Sequence, residues 1–208
     1  MKIRSVEFVG GLARPGGSVP GGLPEVAFGG RSNVGKSSLI NTILGRTRTP
    51  IARVSKSPGK TREVNFFRVD ATGFESGEEI EFFLVDLPGY GYAKVPDAVR
   101  DAWKPLIETY LRRSPALQGV VQLIDARHGP TKADHQMLTF LADLGTPTLV
   151  ALTKVDKLKR SQRKKQLGSI AKELELEMEQ IVPFSSVTGE GRDELLRALE
   201  GLLEDVVP

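Results

Sequence analysis

Gly30-Arg31-Ser32-Asn33-Val34-Gly35-Lys36-Ser37 fits the pattern G-x-x-x-x-G-K-[ST]. Glycines let backbone N–H groups turn inward around an anion, and the N-terminus of a following helix adds favourable partial charge. A lysine in the seventh place reaches the β- and γ-phosphates of a nucleoside triphosphate. A hydroxyl in the eighth ligates Mg²⁺. Lys36 and Ser37 are the residues for those two tasks, so the first chemistry legible in the chain is the cradling of phosphates.

Two further strings add to it. Asp86-Leu87-Pro88-Gly89 places a carboxylate where it can hold a metal through water, and the Gly89 N–H where it can sense a γ-phosphate. Thr153-Lys154-Val155-Asp156 offers a carboxylate at Asp156 that can accept from N1–H and the N2 amino group of guanine, donors that adenine lacks. The stem of Lys154 can lie along the base plane. Followed by Phe184-Ser185-Ser186 near the end of the chain, this weak tetrapeptide becomes a strong guanine signal. Between these strings, Ser57-Pro58-Gly59-Lys60-Thr61-Arg62 sits in a basic stretch without clean periodicity. Thr61 there can give a second hydroxyl to Mg²⁺ and its N–H to the γ-phosphate, which makes residues 46–64 a candidate order–disorder switch.

The elements around these strings must position them. Glu25–Phe28 reads as a short strand running into the phosphate loop, and Ser37–Leu44 as the helix that leaves it. Val64–Val69 and Ile80–Val85 read as strands joined by a hairpin connection. Gly119–Asp125, Thr148–Thr153 and Ile181–Ser185 read as further strands. Helices are expected over Asp97–Arg113, Thr131–Leu144 (with Thr131 as N-cap), Ser161–Gln180 and Arg192–Leu203. Strands alternating with helices predict an α/β fold: a mainly parallel six-stranded sheet with one antiparallel edge strand and helices on both faces. Ligands bind at the carboxyl ends of the strands in such folds, where all the strings fall. Residues 1–23 read as a short strand around Ile3–Val9 and a Gly/Pro-rich loop, and residues 24–208 as a single nucleotide-binding domain.

The 208 residues are 39% hydrophobic and 26% charged, as in a soluble globular chain. No apolar run is long enough to cross a bilayer, and the N-terminus lacks the apolar core of a signal peptide, so a cytoplasmic location is expected. With no cysteine there is no thiolate chemistry. The net charge of +3 says less than its distribution. Arg46, Arg48, Arg53, Lys56, Lys60 and Arg62 form one basic run. Lys154 to Lys172 holds eight basic residues and one acid, Asp156. Solvated faces account for such runs as readily as nucleic acid does when each is taken alone.

Taken together, the strings resemble the G domain of translation-factor-class GTPases, and more closely the EngB (YsxC/YihA) family of small bacterial GTP-binding proteins. The resemblance spans about residues 24–203. It rests on the phosphate loop extended through Ser38-Leu39-Ile40-Asn41, on Pro58–Arg62, Asn65-Phe66-Phe67, Asp86–Ala93 and Ile124–Pro130. It implies a GTPase (GTP to GDP and phosphate) that acts in assembly of the large ribosomal subunit, with cell-division and septation defects on its loss. It also implies that Gly30–Ser37, Gly59–Glu63 and Asp86–Gly89 surround the phosphates, that Ser37 and Thr61 ligate Mg²⁺, and that Thr153–Asp156 with Phe184, Ser185 and Ser186 hold the guanine. The chain is expected to act as a monomer, without a membrane.

Two residues qualify the resemblance. Thr153 stands where Asn is commoner and is expected to weaken one tether to the phosphate loop. Tyr90 follows Gly89 where many GTPases carry a Gln that orients the attacking water. Slow intrinsic hydrolysis is therefore expected, carried by Lys36, Thr61 and Asn33, the last resembling the Asn that holds K⁺ in related GTPases. A P-loop phosphotransferase, or a GTP-binding module with little hydrolysis, is the alternative. His128 follows a strand end, and a solvated role is expected for it rather than base catalysis.

Overall fold

Val120, Val121, Leu123 and Ile124 are wholly buried in one strand, as expected where helices cover both faces of a parallel sheet. The computed structural model describes residues 1–52, 63–90 and 97–204, without the side chains of 97–103. The strands are β1 (Lys2–Leu12), β2 (Glu25–Gly30), β3 (Val64–Thr72), β4 (Glu79–Asp86), β5 (Leu117–Asp125), β6 (Thr148–Thr153) and β7 (Ile181–Pro183). The helices are α1 (Lys36–Ile43), α2 (Asp97–Arg113), α3 (Lys132–Asp143), α4 (Arg160–Leu174) and α5 (Arg192–Glu204). The sheet order is β1-β3-β4-β2-β5-β6-β7, with β2 parallel to both β4 and β5, and β6 parallel to both β5 and β7.

The α/β architecture is the expected one, with three differences. The sheet has seven strands rather than six, because the N-terminal strand runs to Leu12 and pairs with β3 along its length. The antiparallel strand β3 therefore lies one place in from the edge, paired antiparallel to both β1 and β4. A long strand with a free edge is a template for unwanted pairing, and β1, irregular in register between Ile3 and Ser5 and between Phe8 and Gly10, covers it. Phe8 packs on Phe67 with ring centroids 5.6 Å apart. Third, the long helix expected over 161–180 stops at Leu174. Glu175 adopts a left-handed φ of 55°, and Met178–Gln180 forms a separate 3₁₀ turn. The acidic string Glu173–Glu179 lacks the apolar spacing that would hold further turns against the sheet.

The core is split by the sheet. Leu39, Ile40 and Ile43 of α1 and Leu195, Leu196 and Leu199 of α5 pack on one face with Phe28, Val121 and Leu123. Leu106, Ile107 and Tyr110 of α2 and Leu141 of α3 pack on the other with Ala27, Phe66 and Val85. Beside them, Leu167, Ile170 and Ala171 of α4 meet Ile124, Val150 and Leu152. Glu25, 2% exposed, accepts from Tyr110 and Ser114 at 2.7 Å each and so pins the C-terminal end of α2 to the start of β2. Gln122 is the one polar side chain at the buried centre of β5.

Candidate functional site

β2 ends at Gly30 and α1 begins at Lys36, so the predicted phosphate loop bridges a central strand and a helix. Two left-handed residues turn it, Asn33 (φ 65°) and Gly35 (φ 106°). α1 has no side-chain cap and no acid in its first turn, which leaves its positive end open to an anion. Lys36 is 8% exposed, and its ammonium is paired with Asp86 from the end of β4. Ser37, half-buried, follows at the second position of the helix.

The segment after β4 is zipped onto this loop. Leu87 N–H donates to Phe28 O at 3.1 Å, Tyr90 N–H to Gly30 O at 3.3 Å, and Ser32 N–H to Tyr90 O at 3.0 Å. A Cβ on Gly89 would lie 3.2 Å from Ser32 N and Cα, so a side chain there would force the two backbones apart by a few tenths of an ångström. Lys36, Asp86, Gly89 and the loop amides thus share one end of the sheet.

The guanine string lies beside them. Phe184 N–H donates to Leu152 O at 2.8 Å and Val155 N–H to Phe184 O at 3.3 Å, which stitches the end of β6 to the residues after β7. Ser185, fully buried, donates to Asp156 Oδ1 at 2.8 Å and accepts from the N–H groups of Val187 and Thr188 at 3.2 Å each. One carboxylate oxygen of Asp156 is oriented in this way, in a pair of loops able to receive two adjacent donors. Thr153 keeps a tether to the phosphate loop despite the substitution, with its hydroxyl 2.7 Å from Val34 O and 3.2 Å from Ile124 O. Lys154, at a left-handed φ of 61°, adds a second by donating to Asn33 O at 2.6 Å.

Two residues at the site carry roles that the sequence does not assign to them. Asp125, at the tip of β5, accepts from Lys154 at 2.9 Å and from Arg127 through two guanidinium nitrogens at 2.9 and 2.7 Å. Burial alone would raise its pKa. The hydrogen bonds from Arg127 and Lys154 outweigh it and bring the value down to about 2, so the carboxylate stays charged and holds Lys154 over the loop. Its signals in the sequence are an acid at the carboxyl end of a buried strand and a place in the string Ile124–Pro130, to which no role attaches. Asn41 stands out in the sequence only as the end of the extended phosphate loop. Its amide accepts from the N–H groups of Ile51 and Ala52 at 3.0 Å and donates to Ala52 O at 2.8 Å, fixing the chain within the first part of the candidate switch segment. Of that segment, Gly59, Lys60, Thr61 and Arg62 lie outside the described residues, while Glu63 immediately precedes β3. His128 is exposed.

Residues 25–154 match the family model described as a 50S ribosome-binding GTPase, and residues 107–205 match that of the elongation factor Tu GTP-binding domain. A probable GTP-binding protein EngB of Gemmatimonas aurantiaca is 52% identical over 204 residues, covering 98% of this chain and 95% of that one. Its counterpart in Desulforamulus reducens is 49% identical over 96% of this chain and 93% of its own. The chain belongs to the EngB family. As an EngB protein it is a GTP-binding protein of the GTPase class. The fold is that of a crystal structure of a probable EngB protein (TM-score 0.66, 24% identity, 87% of this chain and 99% of that one). It is also similar to Era crystallised with MgGDPNP and a segment of 16S ribosomal RNA (TM-score 0.68, 28% identity, 89% of this chain and 58% of that one).

Proposed function

We propose that this chain is a GTP-driven switch in the assembly of the large ribosomal subunit, with slow intrinsic hydrolysis and a consequent need in cell division. The observation that carries this is the match of residues 25–154 to a family described as 50S ribosome-binding GTPases. In this proposal Gly30–Ser37 wrap the phosphates, with Lys36 on the β- and γ-phosphates, and Asp86–Gly89 and Gly59–Glu63 close the γ-phosphate side. Asp156, set by Ser185, reads N1–H and N2 of guanine, with Phe184, Ser186 and Lys154 around the base. Ser37 and Thr61 hold Mg²⁺. The hydroxyl of Ser37 and the nearby buried carboxylate of Asp86 are the hard oxygen donors that ion takes. When bound, the ion neutralises charge developing on the phosphates.

Slow turnover is supported by Tyr90, whose hydroxyl is engaged by Gln122 and Asp134. The same engagement supports the second proposal, a GTP-binding module with little hydrolysis. A monovalent cation on the exposed Asn33 would supply positive charge in place of an arginine finger. Turnover is therefore expected to be several-fold faster in KCl than in NaCl. Equal rates in the two salts, with and without ribosomal subunits, overturn the cation proposal.

The partner surface is assigned to α4. Among the basic residues there, Lys164 and Lys165 are exposed, while Arg163 is engaged by Glu190. The described residues include no helix long and apolar enough to cross a membrane, and a monomer in the cytoplasm is proposed. The test is co-sedimentation with large-subunit particles in GDP and in a non-hydrolysable GTP analogue. Binding is expected in the analogue state only. It should weaken steeply with KCl, and Lys164→Glu with Lys165→Glu should reduce the log–log salt slope by about one for each phosphate no longer neutralised. Nucleotide-independent binding with unchanged salt slope overturns the assignment.

A further inference from the structure

Two buried polar side chains, Gln122 of β5 and Asp134 of α3, meet at the hydroxyl of Tyr90, the half-buried residue after Gly89. Gln122 of β5 is wholly buried, and its amide N–H donates to the Tyr90 hydroxyl. That hydroxyl donates to Asp134 Oδ1 at 3.0 Å. Asp134 is 1% exposed, and its other oxygen accepts from Thr131 N–H at 2.9 Å and Thr131 Oγ1–H at 2.7 Å, forming the capping box of α3. Space for the Gln122 amide is left by Gly29, where a Cβ would lie 2.9 Å from Gln122 Oε1. That oxygen has no hydrogen-bond partner among the described residues.

Each further buried polar group that loses its partner costs free energy, and Gln122 Oε1 already lacks one. If Tyr90 leaves its seat, the Gln122 amide keeps only its 3.3 Å bond to Leu123 O and Asp134 loses the partner of Oδ1, so the seat is preferred. The main chain of Tyr90 is meanwhile clipped to Gly30 and Ser32 of the phosphate loop, directly after Gly89. Burial, followed by the Asp134 charge, pushes the phenol well above its ordinary pKa, so it keeps the proton it donates.

We propose that the Tyr90 hydroxyl, seated between Gln122 and Asp134, is a positioning latch that transmits nucleotide-dependent movement at Gly89 to the N-terminal turn of α3. The proposal rests on the assignment of Gly89 as the γ-phosphate sensor. Movement at Gly89 has a short covalent path into Tyr90, and Tyr90 ends on the residue that caps α3. The Gly89 segment and α3 thereby share one hydrogen-bonded network with a preferred arrangement.

Hydrogen exchange of the full chain, read by mass spectrometry in GDP and in a non-hydrolysable GTP analogue, tests it. In the unsubstituted protein, exchange is expected to differ between the two nucleotides both at residues 86–90 and at residues 131–137. Tyr90→Phe keeps the ring and removes the hydroxyl. It should abolish the difference at 131–137 and leave nucleotide binding in place. Tyr110→Phe, which removes a buried hydroxyl from Glu25, should leave that difference intact, which separates coupling from general loss of stability. Tyr90→Phe/Gln122→Leu leaves no unpaired amide. It should resist urea better than Tyr90→Phe alone and remain uncoupled. A difference at 86–90 without one at 131–137, or one at 131–137 that survives Tyr90→Phe or returns in the double variant, overturns the latch and spares the sensor. No difference at 86–90 in the unsubstituted protein overturns the sensor assignment and the latch with it.

Discussion

Asp156→Asn is expected to lower GTP affinity by about a hundredfold or more while leaving the fold unchanged. The carboxylate presents two acceptors, matched to N1–H and the N2 amino group of guanine. An amide presents one acceptor and one donor, so one guanine donor then faces an N–H, and a site built around such groups discriminates by orders of magnitude. The loops should hold, because Ser185 donates to Oδ1 and an amide oxygen accepts that bond equally well. The same exchange matches xanthine, which carries a carbonyl where guanine carries its amino group. XTP should therefore gain what GTP loses. Titration of both nucleotides against the unsubstituted and Asn forms reads this directly. GTP affinity within threefold of the original would remove Asp156 from the guanine site.

The second large effect belongs to Lys36. Its ammonium and the Asp86 carboxylate are 8% and 4% exposed and are each other's charge partner. Lys36→Met keeps most of the apolar stem and deletes the charge, leaving a buried carboxylate uncompensated. Breaking a buried pair from one side costs about 3–5 kcal/mol, which should appear as a clear drop in stability on urea unfolding. Removing both charges, as in Lys36→Met/Asp86→Leu, should restore most of that stability and none of the nucleotide affinity. The two readouts together distinguish a lysine that serves phosphate from one that serves only the fold. Recovery of GTP binding in the double variant would assign Lys36 to the fold alone.

What the chain order discloses, and what it hides, divides along sequence distance. The phosphate loop and the guanine string are contiguous, and their backbone turns are set locally by Gly35 and by the left-handed Asn33 and Lys154, so residue types alone point to them. The alternation of strands and helices sets the layers for the same reason. In the sequence β1 ends early, because Gly10 and Gly11 look like a loop. Pairing with β3 carries the strand through them to Leu12. The tail of α4 reads as too long because its acids suit a helix locally, and only the lack of an apolar face ends it. Tyr90 is the sharpest case. Its bulk shows that it does not act as the usual Gln, but its seat depends on Gln122 and Asp134, 32 and 44 residues away, and no local rule links them. Asn41 is hidden likewise, since its three bonds go to residues ten and eleven positions on.

The polar side chain at the buried centre of β5 also bears on how the sheet assembles. A strand that is apolar on both faces carries little information about alignment, because sliding it by two residues brings equally greasy side chains to the same faces. In the native alignment Gln122 stands opposite Gly29 of β2 and Val150 of β6. Slid by two, its amide would leave the Gly29 gap and the phenol of Tyr90. Gln122 therefore works as an indexing pin. It marks the one alignment of the central strands in which the phosphate loop and the guanine string, carried on β2 and β6, come level with each other.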